Sequence, residues 1–514
     1  MHQTEILVIG SGLAGAIAAI KAADNGRHVT IISKTDSLLS GNTPYAQGGI
    51  IYVGENDSPV KLKNDVMEAG DGHCWERAVD QLSELGPKLV KEILIDRFNI
   101  NFDRNQKHEF DLTSEGAHSQ KRIIHSKDKT GKSIHDVITD ALENHPMIET
   151  LTDHMAVDLL TLSHHSKNSL DIYSHPACFG AFILNNKTGR IIPFYANKTI
   201  LATGGLGQIY RHTTNPSEST GDGIALAWRA GARCFNLQYI QFHPTTFYND
   251  RDRFLLSESM RGEGAILVDK HGQEFMKKYH DMGSLAPRDV VSRGIHQTML
   301  DTNHPCVYLD ISFKDADWLK DRFPTIYEHC RVYGIDITKD PIPVVPAAHY
   351  SCGGVGVSLR GRTSLNRLYA IGEVSCSGVH GANRLASTSL LEAVVWGYRA
   401  GIDASVKESG EDYFPDIFPW EDGTDTVDPA LIAQDWLTIK NTMWNYVGLV
   451  RSRPRLLRAR TTLRHLQSEV EDFYQSVKIT KPVIELRNGV QTAIAVAQAT
   501  LEDRVSRGCH YLVG

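Results

Sequence analysis

The sequence predicts an α/β fold. A buried parallel sheet begins at the N-terminus and is completed by residues beyond 345, with an α+β insertion between them and a helical bundle at the end. Three observations predict it. An apolar run at 6–9 leads through glycines 10, 12 and 15 into a helix of small residues, and a second apolar run follows at 28–32. That order is strand, turn, helix, strand, as in a parallel unit buried on both faces. Buried-strand and glycine patterns return at 349–372, with R-L-Y-A-I-G-E at 367–373. Between them the character changes, and 236–345 carry most of the mid-chain prolines.

In the first unit each glycine has a physical task. Gly10 makes the turn, Gly12 lets backbone approach a pyrophosphate, and Gly15 lets the helix lie close on the strand. Residues 13–23 suit a helix packed tightly on a sheet, and Gly26 is a stop. The helix N-terminus offers free N–H groups and a positive dipole end to a pyrophosphate. The unit therefore reads as a Rossmann-like dinucleotide site; the alternative is a packing turn without a ligand. The acidic residue that would hold a ribose after the second strand is missing, and Ser33 and Lys34 stand there. This argues against a plain NAD site and leaves FAD open.

At 514 residues the chain has length for two or three domains. Hydrophobic content of 41% with 22% charged residues describes an ordinary soluble globular protein. A net charge of −7 makes nucleic acid no obvious partner. Eight cysteines without a C-x-x-C pair predict reduced thiols, a cytoplasmic protein and no metal site. The apolar run 6–20 could pass for a signal-peptide core, but Glu5 precedes it where basic residues belong. No run reaches the roughly 20 residues of a membrane helix, so no membrane partner is expected.

Along the chain, 38–54 is rich in Gly, Ser, Asn and Thr and predicts a loop folded around a ligand. Helical patterns follow to about residue 97. His108, His118, His125 and His135 are spaced irregularly, which favours a surface or site loop over a metal cluster. Apolar runs at 179–184 and 191–194 flank N-N-K-T-G-R, a hairpin signal, and 221–232 predicts a short helix. Residues 408–430 are acidic and read as a linker. From 431 the pattern is helical, with Arg451, Arg453, Arg455, Arg458, Arg460 and Arg464 close together. These predict a solvated, salt-bridged helix face; an RNA patch would want interleaved aromatics.

Ten motifs then occur in order: G-S-G-L-A-G at 10–15, N-T-P-Y-A-Q-G-G-I at 42–50, L-A-T-G-G at 201–205, Q-F-H-P-T at 241–245, R-G-E-G-A at 261–265, P-R-D-V-V at 287–291, A-A-H-Y-S-C-G-G-V at 347–355, Y-A-I-G-E at 369–373, G-A-N-R-L-A-S-T-S-L-L-E at 381–392 and S-R-G-C-H at 506–510. Through nearly the whole chain this resembles the flavoprotein family of succinate dehydrogenases and fumarate reductases, and within it the aspartate-oxidising branch. The resemblance implies an FAD-binding Rossmann-like domain at 1–235 and 346–405. It also implies a capping domain at 236–345 that closes over substrate, a linker at 406–430 and a helical domain at 431–514. It implies oxidation of L-aspartate to iminoaspartate with oxygen or fumarate as acceptor, and quinolinate synthase as consumer in the route to NAD. A soluble fumarate reductase or succinate-oxidising flavoprotein is the alternative enzyme; an FAD-containing RNA-binding or sensor protein is the alternative outside catalysis.

Two positions separate the branches. Respiratory members carry a histidine, covalently bonded to FAD, where this chain has Asn42. An amide is no such nucleophile, so FAD should be held non-covalently. Glu115, in S-E-G-A-H-S, matches a glutamate of the aspartate-oxidising branch. A second carboxylate repels succinate but attracts an ammonium group. Taken alone, Glu115 is one more acid in a polar loop.

The resemblance nominates His243, His349 and Arg384 as carboxylate ligands, with Gln241 in the same motif as His243. Ser257 and Glu258 form a hydroxyl–acid pair beside them. Arg288 lies near the reacting carbon with a proton-transfer role, although a guanidinium normally keeps its proton. The alternative has Arg288 stabilising charge while Glu115 influences the amine proton. Singly, His243 before a proline reads as structural, and Arg288 before Asp289 as a helix-capping ion pair. For FAD, Ser11, Gly12, Leu13 and Ala14 should cradle the pyrophosphate and Lys34 should lie at the adenosine end. Asn42, Thr43, Pro44, Tyr45, Ala46, Gln47, Gly48 and Gly49 should wrap the flavin. Val157 and Asp158 match an adenine-side strand, Asp222 a flavin-side acid, and Glu373 an acceptor for ribityl hydroxyls. Ser389 and Leu390 should open a helix aimed at the pyrimidine ring, where a plain helix cap is the bland alternative.

Overall fold

A computed structural model describes residues 2–249, 253–408, 410 and 413–514. The remaining positions of the predicted N-terminal domain, insertion and linker lie outside the described residues. The main sheet runs Ile148–Leu151, Val29–Ile32, His2–Ile9, Arg190–Leu201, Cys178–Asn185, His154–Thr161, and Leu368–Ala370 also pairs with Arg190–Leu201. His2–Ile9 is parallel to both neighbours, and Leu368–Ala370 is parallel to Arg190–Leu201. The sheet begun at the N-terminus thus takes a strand from residue 368 onward. Ile9 pairs with Ile32 and with Leu201, and Leu201 with Ala370, so several carboxyl ends reach one level. That level is where parallel sheets place ligands. The hairpin 178–201 forms around the N-N-K-T-G-R turn.

Helix Leu13–Asp24 is buried along nearly its whole length and packs against helix Thr388–Ser405. Backbone contact makes this possible: a Cβ at Gly397 or Gly401 would meet Ala14 O or Ala18 O at 2.7 Å. Residues almost 400 positions apart therefore bring two helix N-termini to the same rim of the sheet.

A second, antiparallel sheet runs Ile240–Phe247, Ile342–Ser351, Val307–Asp310, Ile266–Val268. It has its own core, including Phe247, Leu267, Ile295, Leu309 and Phe323. The expected boundary at 345 falls inside strand Ile342–Ser351, because that strand continues beyond the capping sheet toward the cleft. Helix Arg288–Thr302 packs on this sheet and begins at its candidate site arginine.

Helices Pro429–Tyr446, Arg453–Ser476 and Lys481–Glu502 form the C-terminal part. The arginine-rich segment is not uniformly solvated. Arg453, Arg455, Arg458 and Arg464 are exposed, but Arg451 is fully buried and donates to Gly448 O and Gln238 O. Its place before the helix turns it inward. The segment expected as a linker is packed rather than free: Ile417 is buried and bridges to Ser166, and Asp425 bridges to Val477.

Lys34 joins the sheet to the C-terminal helices. Its Nζ donates to Thr220 Oγ1, Asp222 Oδ2 and Glu485 Oε1 at 2.9, 2.7 and 2.8 Å. Burial alone would lower its pKa, but the two carboxylates outweigh burial and hold it above the ordinary lysine value. Lys34→Met leaves two acids facing each other without their cation. Unfolding stability is expected to fall by about 3 kcal/mol, read as an earlier denaturant midpoint at unchanged slope.

Candidate active site

The cleft above the sheet is lined at one end by Ser11, Gly12, Leu13, Lys34, Met155 and Asp222 and at the other by Glu115, His243, Glu258, Arg288, His349 and Arg384. Gly10 makes its turn at φ 111°, and a Cβ there would overlap Ala202 O at 2.3 Å. A Cβ at Gly15 would meet Gly10 O at 2.1 Å, so this glycine works by helix–strand contact and does not line the cleft. At Gly12 the nearest atom to a Cβ is Thr43 Oγ1 at 3.6 Å, and at Gly41 and Gly204 nothing lies within 4 Å. A ligand can approach the backbone there.

Two helices start at the cleft without a cap from the residue before them: Leu13–Asp24 behind Gly12, where Leu13 N–H alone is taken by Thr43 Oγ1 at 3.2 Å, and Thr388–Ser405 behind Ser387. The remaining first-turn N–H groups and the positive dipole end suit a pyrophosphate or an anionic ring. Ser387 takes the left-handed conformation at φ 56° and sends its hydroxyl elsewhere, so Ser389 sits in the first turn and is not the cap. Gln47 Oε1, Thr203 Oγ1 and Arg384 Nε face this cleft, are buried, and have no protein partner. Buried polar atoms need partners; a long polar ligand would supply them. Asn42 Nδ2 donates to Glu373 Oε2 at 2.9 Å, and burial pushes Glu373 up to about 7. Thr43, Tyr45, Ala46, Gln47, Gly48, Gly49, Ser389 and Leu390 line the cleft, and Ala14 joins them; Pro44 does not.

Val157 and Asp158 are not at the cleft. Its wall on that side is His154, Met155 and Ala156. Val157 is buried farther along the strand, in the core it shares with Met155, Phe179 and Val483, and Asp158 Oδ1 accepts from Arg229 Nε at 2.7 Å.

The other end gathers charge. Arg288 Nε donates to Glu258 Oε2, and its Nη1 donates to Gln241 Oε1 at 3.0 Å. Asp289 pairs with Arg293 instead, so the helix-capping alternative for Arg288 does not hold. Gln241 is buried behind the cleft rather than lining it, and its Nε2 donates to Asn383 Oδ1 and Arg384 O, both at 2.8 Å. Arg384 Nη2 donates to His349 Nε2 at 3.1 Å, so the His349 proton sits on Nδ1 and is donated to Thr214 Oγ1 at 2.8 Å. Arg384 also lies over the Tyr350 ring, 4.5 Å from its centre. Burial, and then the neighbouring arginines, push His243 and His349 well below the ordinary histidine value. Both rings are therefore neutral. His243 Nδ1 is held at the Thr245 backbone, 3.2 Å from its carbonyl oxygen and 3.3 Å from its N–H, and its Nε2 is left for the cleft.

Glu115 is buried. Ser387 Oγ donates to its Oε2 at 2.6 Å and Ser259 Oγ to its Oε1 at 3.2 Å. Burial, and then Glu258, raise its pKa. Burial also pushes Glu258 up, but Arg288 and Arg261 outweigh it and keep Glu258 below the usual carboxylate range. The loop bearing Glu115 is fixed by buried Arg122, which pairs with Asp57 and Asp65, and by His118, whose Nε2 bonds Ala386 O at 3.0 Å. Ser257 Oγ donates to Ser259 Oγ at 3.1 Å. Sequence reasoning missed Thr203, Thr214, Ser259 and Ser387; the last three lie beside nominated residues, yet a serine or threonine carries no sign of which way its hydroxyl points.

The site therefore offers two guanidinium groups and the neutral His243 ring for anionic groups, with His349 held between Arg384 and Thr214 and one carboxylate of raised pKa beside them. A long polar cleft with two helix N-termini adjoins it. Comparison with known proteins agrees. The family model described as an FAD binding domain matches residues 5–390. An L-aspartate oxidase of Pseudomonas aeruginosa is 41% identical over 99% of this chain and 95% of its own length. One from Halobacterium salinarum is 40% identical over 99% and 96%, and a chloroplastic one from Oryza sativa 38% over 99% and 81%. Among solved structures, a mutant of the E. coli quinol fumarate reductase FrdA superposes with a TM-score of 0.86 at 27% identity, covering 100% of this chain and 92% of that one. An adenylylsulfate reductase from Archaeoglobus fulgidus shares the fold, with a TM-score of 0.76 at 18% identity and coverage of 99% and 90%. No helix among the described residues is long and apolar enough to cross a membrane. With a matched FAD-binding domain and full-length relatives at this identity, the chain belongs to the L-aspartate oxidase family of FAD-dependent flavoproteins.

Proposed function

We propose that this protein oxidises L-aspartate to iminoaspartate. Oxygen or fumarate is the electron acceptor, quinolinate synthase takes the product, and the reaction is the first step of a cytoplasmic route to NAD. The observation that carries the reading is Glu115, a buried carboxylate in a site otherwise built for anions. FAD, held non-covalently because Asn42 offers no nucleophile, supplies the two-electron acceptor. Ser11 to Ala14, Lys34, residues 42–49 except Pro44, Asp222, Glu373, Ser389 and Leu390 are the residues that would hold it.

The chain's own groups orient the substrate. Arg384 binds a carboxylate through its guanidinium fork, which fixes orientation as well as charge; neutral His243 lies beside it, and His349 holds Arg384 in place by accepting from its Nη2. Arg288, held by Glu258 and Gln241, is placed to neutralise charge near the reacting carbon and to take part in proton transfer. Glu115 receives the ammonium group and determines which dicarboxylate is accepted. The capping unit brings His243, on strand Ile240–Phe247, and Glu258 and Arg288, each the first residue of a helix, down over the cleft and limits water.

The test is anaerobic mixing of the holoprotein with L-aspartate, D-aspartate or succinate while the flavin absorbance is followed. Bleaching by L-aspartate alone is expected. Bleaching by succinate alone would favour the succinate-oxidising reading, and bleaching by neither in an FAD-loaded protein would remove the catalytic one.

A further inference from the structure

The S-R-G-C-H segment at 506–510 has no part in the proposed chemistry, yet it is among the best-anchored stretches outside the regular elements. Residues 503–514 follow the last helix and form no helix of their own. Buried Arg451 clamps them: its Nη1 bonds His510 Nδ1 at 2.8 Å, its N–H donates to Tyr511 O, and Val513 N–H donates to Arg451 O. Gly508 N–H donates to Asp71 Oδ2 at 3.1 Å, and Cys509 N–H to Ala382 O at 2.9 Å. At Gly508, φ is 43° and a Cβ would meet Ala382 O at 2.5 Å, so the tail lies directly against the backbone that precedes Asn383 and Arg384.

From there the tail reaches the site arginines by two routes. Cys509 Sγ donates to Asn383 Oδ1 at 3.3 Å. That same oxygen accepts from Gln241 Nε2, and Gln241 in turn holds the Arg384 carbonyl and the Arg288 side chain. Asn383 is fixed on its other side by donating to Ala69 O at 3.2 Å. The second route runs through the capping helix. Arg293 Nη1 donates to Gly508 O at 3.0 Å, and its guanidinium lies over the Tyr511 ring; Arg293 stands on the helix whose first residue is Arg288.

We propose that the C-terminal segment is a positioning element of the active site: Cys509, through Asn383 and Gln241, sets the placement of Arg288 and Arg384, and Arg293 ties the same segment to the helix that carries Arg288. This rests on those two arginines being the substrate-binding pair. Cys509 is buried, and burial pushes its thiol well above the ordinary value, so it stays an S–H donor at neutral pH. The bond is weak in itself. Its leverage comes from the position of its acceptor, since one amide oxygen serves both Cys509 and Gln241.

The experiment compares Cys509→Ala and Cys509→Ser in the full-length holoenzyme, with KM and kcat for L-aspartate and the thermal midpoint measured for each. If the side chain only fills space, the apolar alanine is the better replacement for a buried thiol. If it acts as a donor, serine is. The proposal expects KM to rise about 3- to 10-fold in Cys509→Ala, with kcat within about 2-fold and KM restored by Cys509→Ser. Equal KM in all three proteins overturns it, and so does alanine outperforming serine. Arg293→Gln, which loosens the second route from outside the site, is the check where the serine variant does not fold: raised KM supports the proposal and unchanged KM overturns it. A wild-type protein that does not turn over L-aspartate fails the functional reading instead, and that outcome is visible before any variant is compared.

Discussion

Arg288→Leu is expected to lower kcat/KM for L-aspartate by about 10³- to 10⁴-fold while FAD remains bound. The reason is geometric. Arg288 sits where the capping domain meets the cleft, with its Nε on Glu258 and its Nη1 on Gln241. Both contacts lie on the substrate side, and none involves the residues around Gly12 or Asn42. The nucleotide end should keep its cofactor, seen as an unchanged ratio of flavin to protein absorbance. Leucine leaves Glu258 with Arg261 alone, at 3.1 Å, so part of the loss is misplacement of Glu258. Arg288→Lys separates the contributions: it keeps a positive charge but cannot make both bonds as a planar fork. A lysine variant within about tenfold of wild type would show that charge alone is required. A leucine variant within tenfold would remove Arg288 from the reaction.

The glycine-turn unit was legible because its residues are defined by sterics: Gly10 and Gly15 have no room for a Cβ. The late strand Leu368–Ala370 was legible because a strand buried on both faces is apolar without interruption. The site arginines and histidines came from ordered motifs, since no local property of R-D-V-V distinguishes a substrate ligand from a cap. What sequence could not supply is direction. The resemblance puts Val157 at the cleft, but the strand leaves the cleft after Ala156 and Val157 packs into a core with Phe179 and Val483. Ser389 and Leu390 do stand in the first turn of the helix at the cleft; only the plain-cap alternative for Ser389 fails, because Ser387 precedes the helix. Arg451 was grouped with its exposed neighbours, but it lies before the helix and faces the tail. For Val157 and Arg451 the difference lies in which way one side chain turns, fixed by contacts with residues hundreds of positions away.

Glu115→Gln gives the second large effect, and here the sign of a pH dependence decides between explanations. Glutamine can still bond both hydroxyls that hold Glu115, those of Ser259 and Ser387, so the loop should keep its shape. What is lost is the partner for a substrate ammonium group. A charge-assisted buried contact contributes about 2 to 3 kcal/mol, so KM for L-aspartate should rise roughly 30- to 150-fold. Succinate has no ammonium group, and its inhibition constant should stay level or improve. The wild-type pH profile follows from the direction of the shift. Burial and Glu258 raise the pKa of Glu115, and only the ionised carboxylate holds the ammonium. Affinity for L-aspartate is therefore present above that raised value and is lost as pH falls through it, while affinity for succinate moves the other way as the repelling charge is neutralised. In Glu115→Gln both dependences should flatten. If KM for L-aspartate keeps its acid limb in the glutamine variant, another group governs it, and the selectivity of the site must come from the arginines and histidines alone.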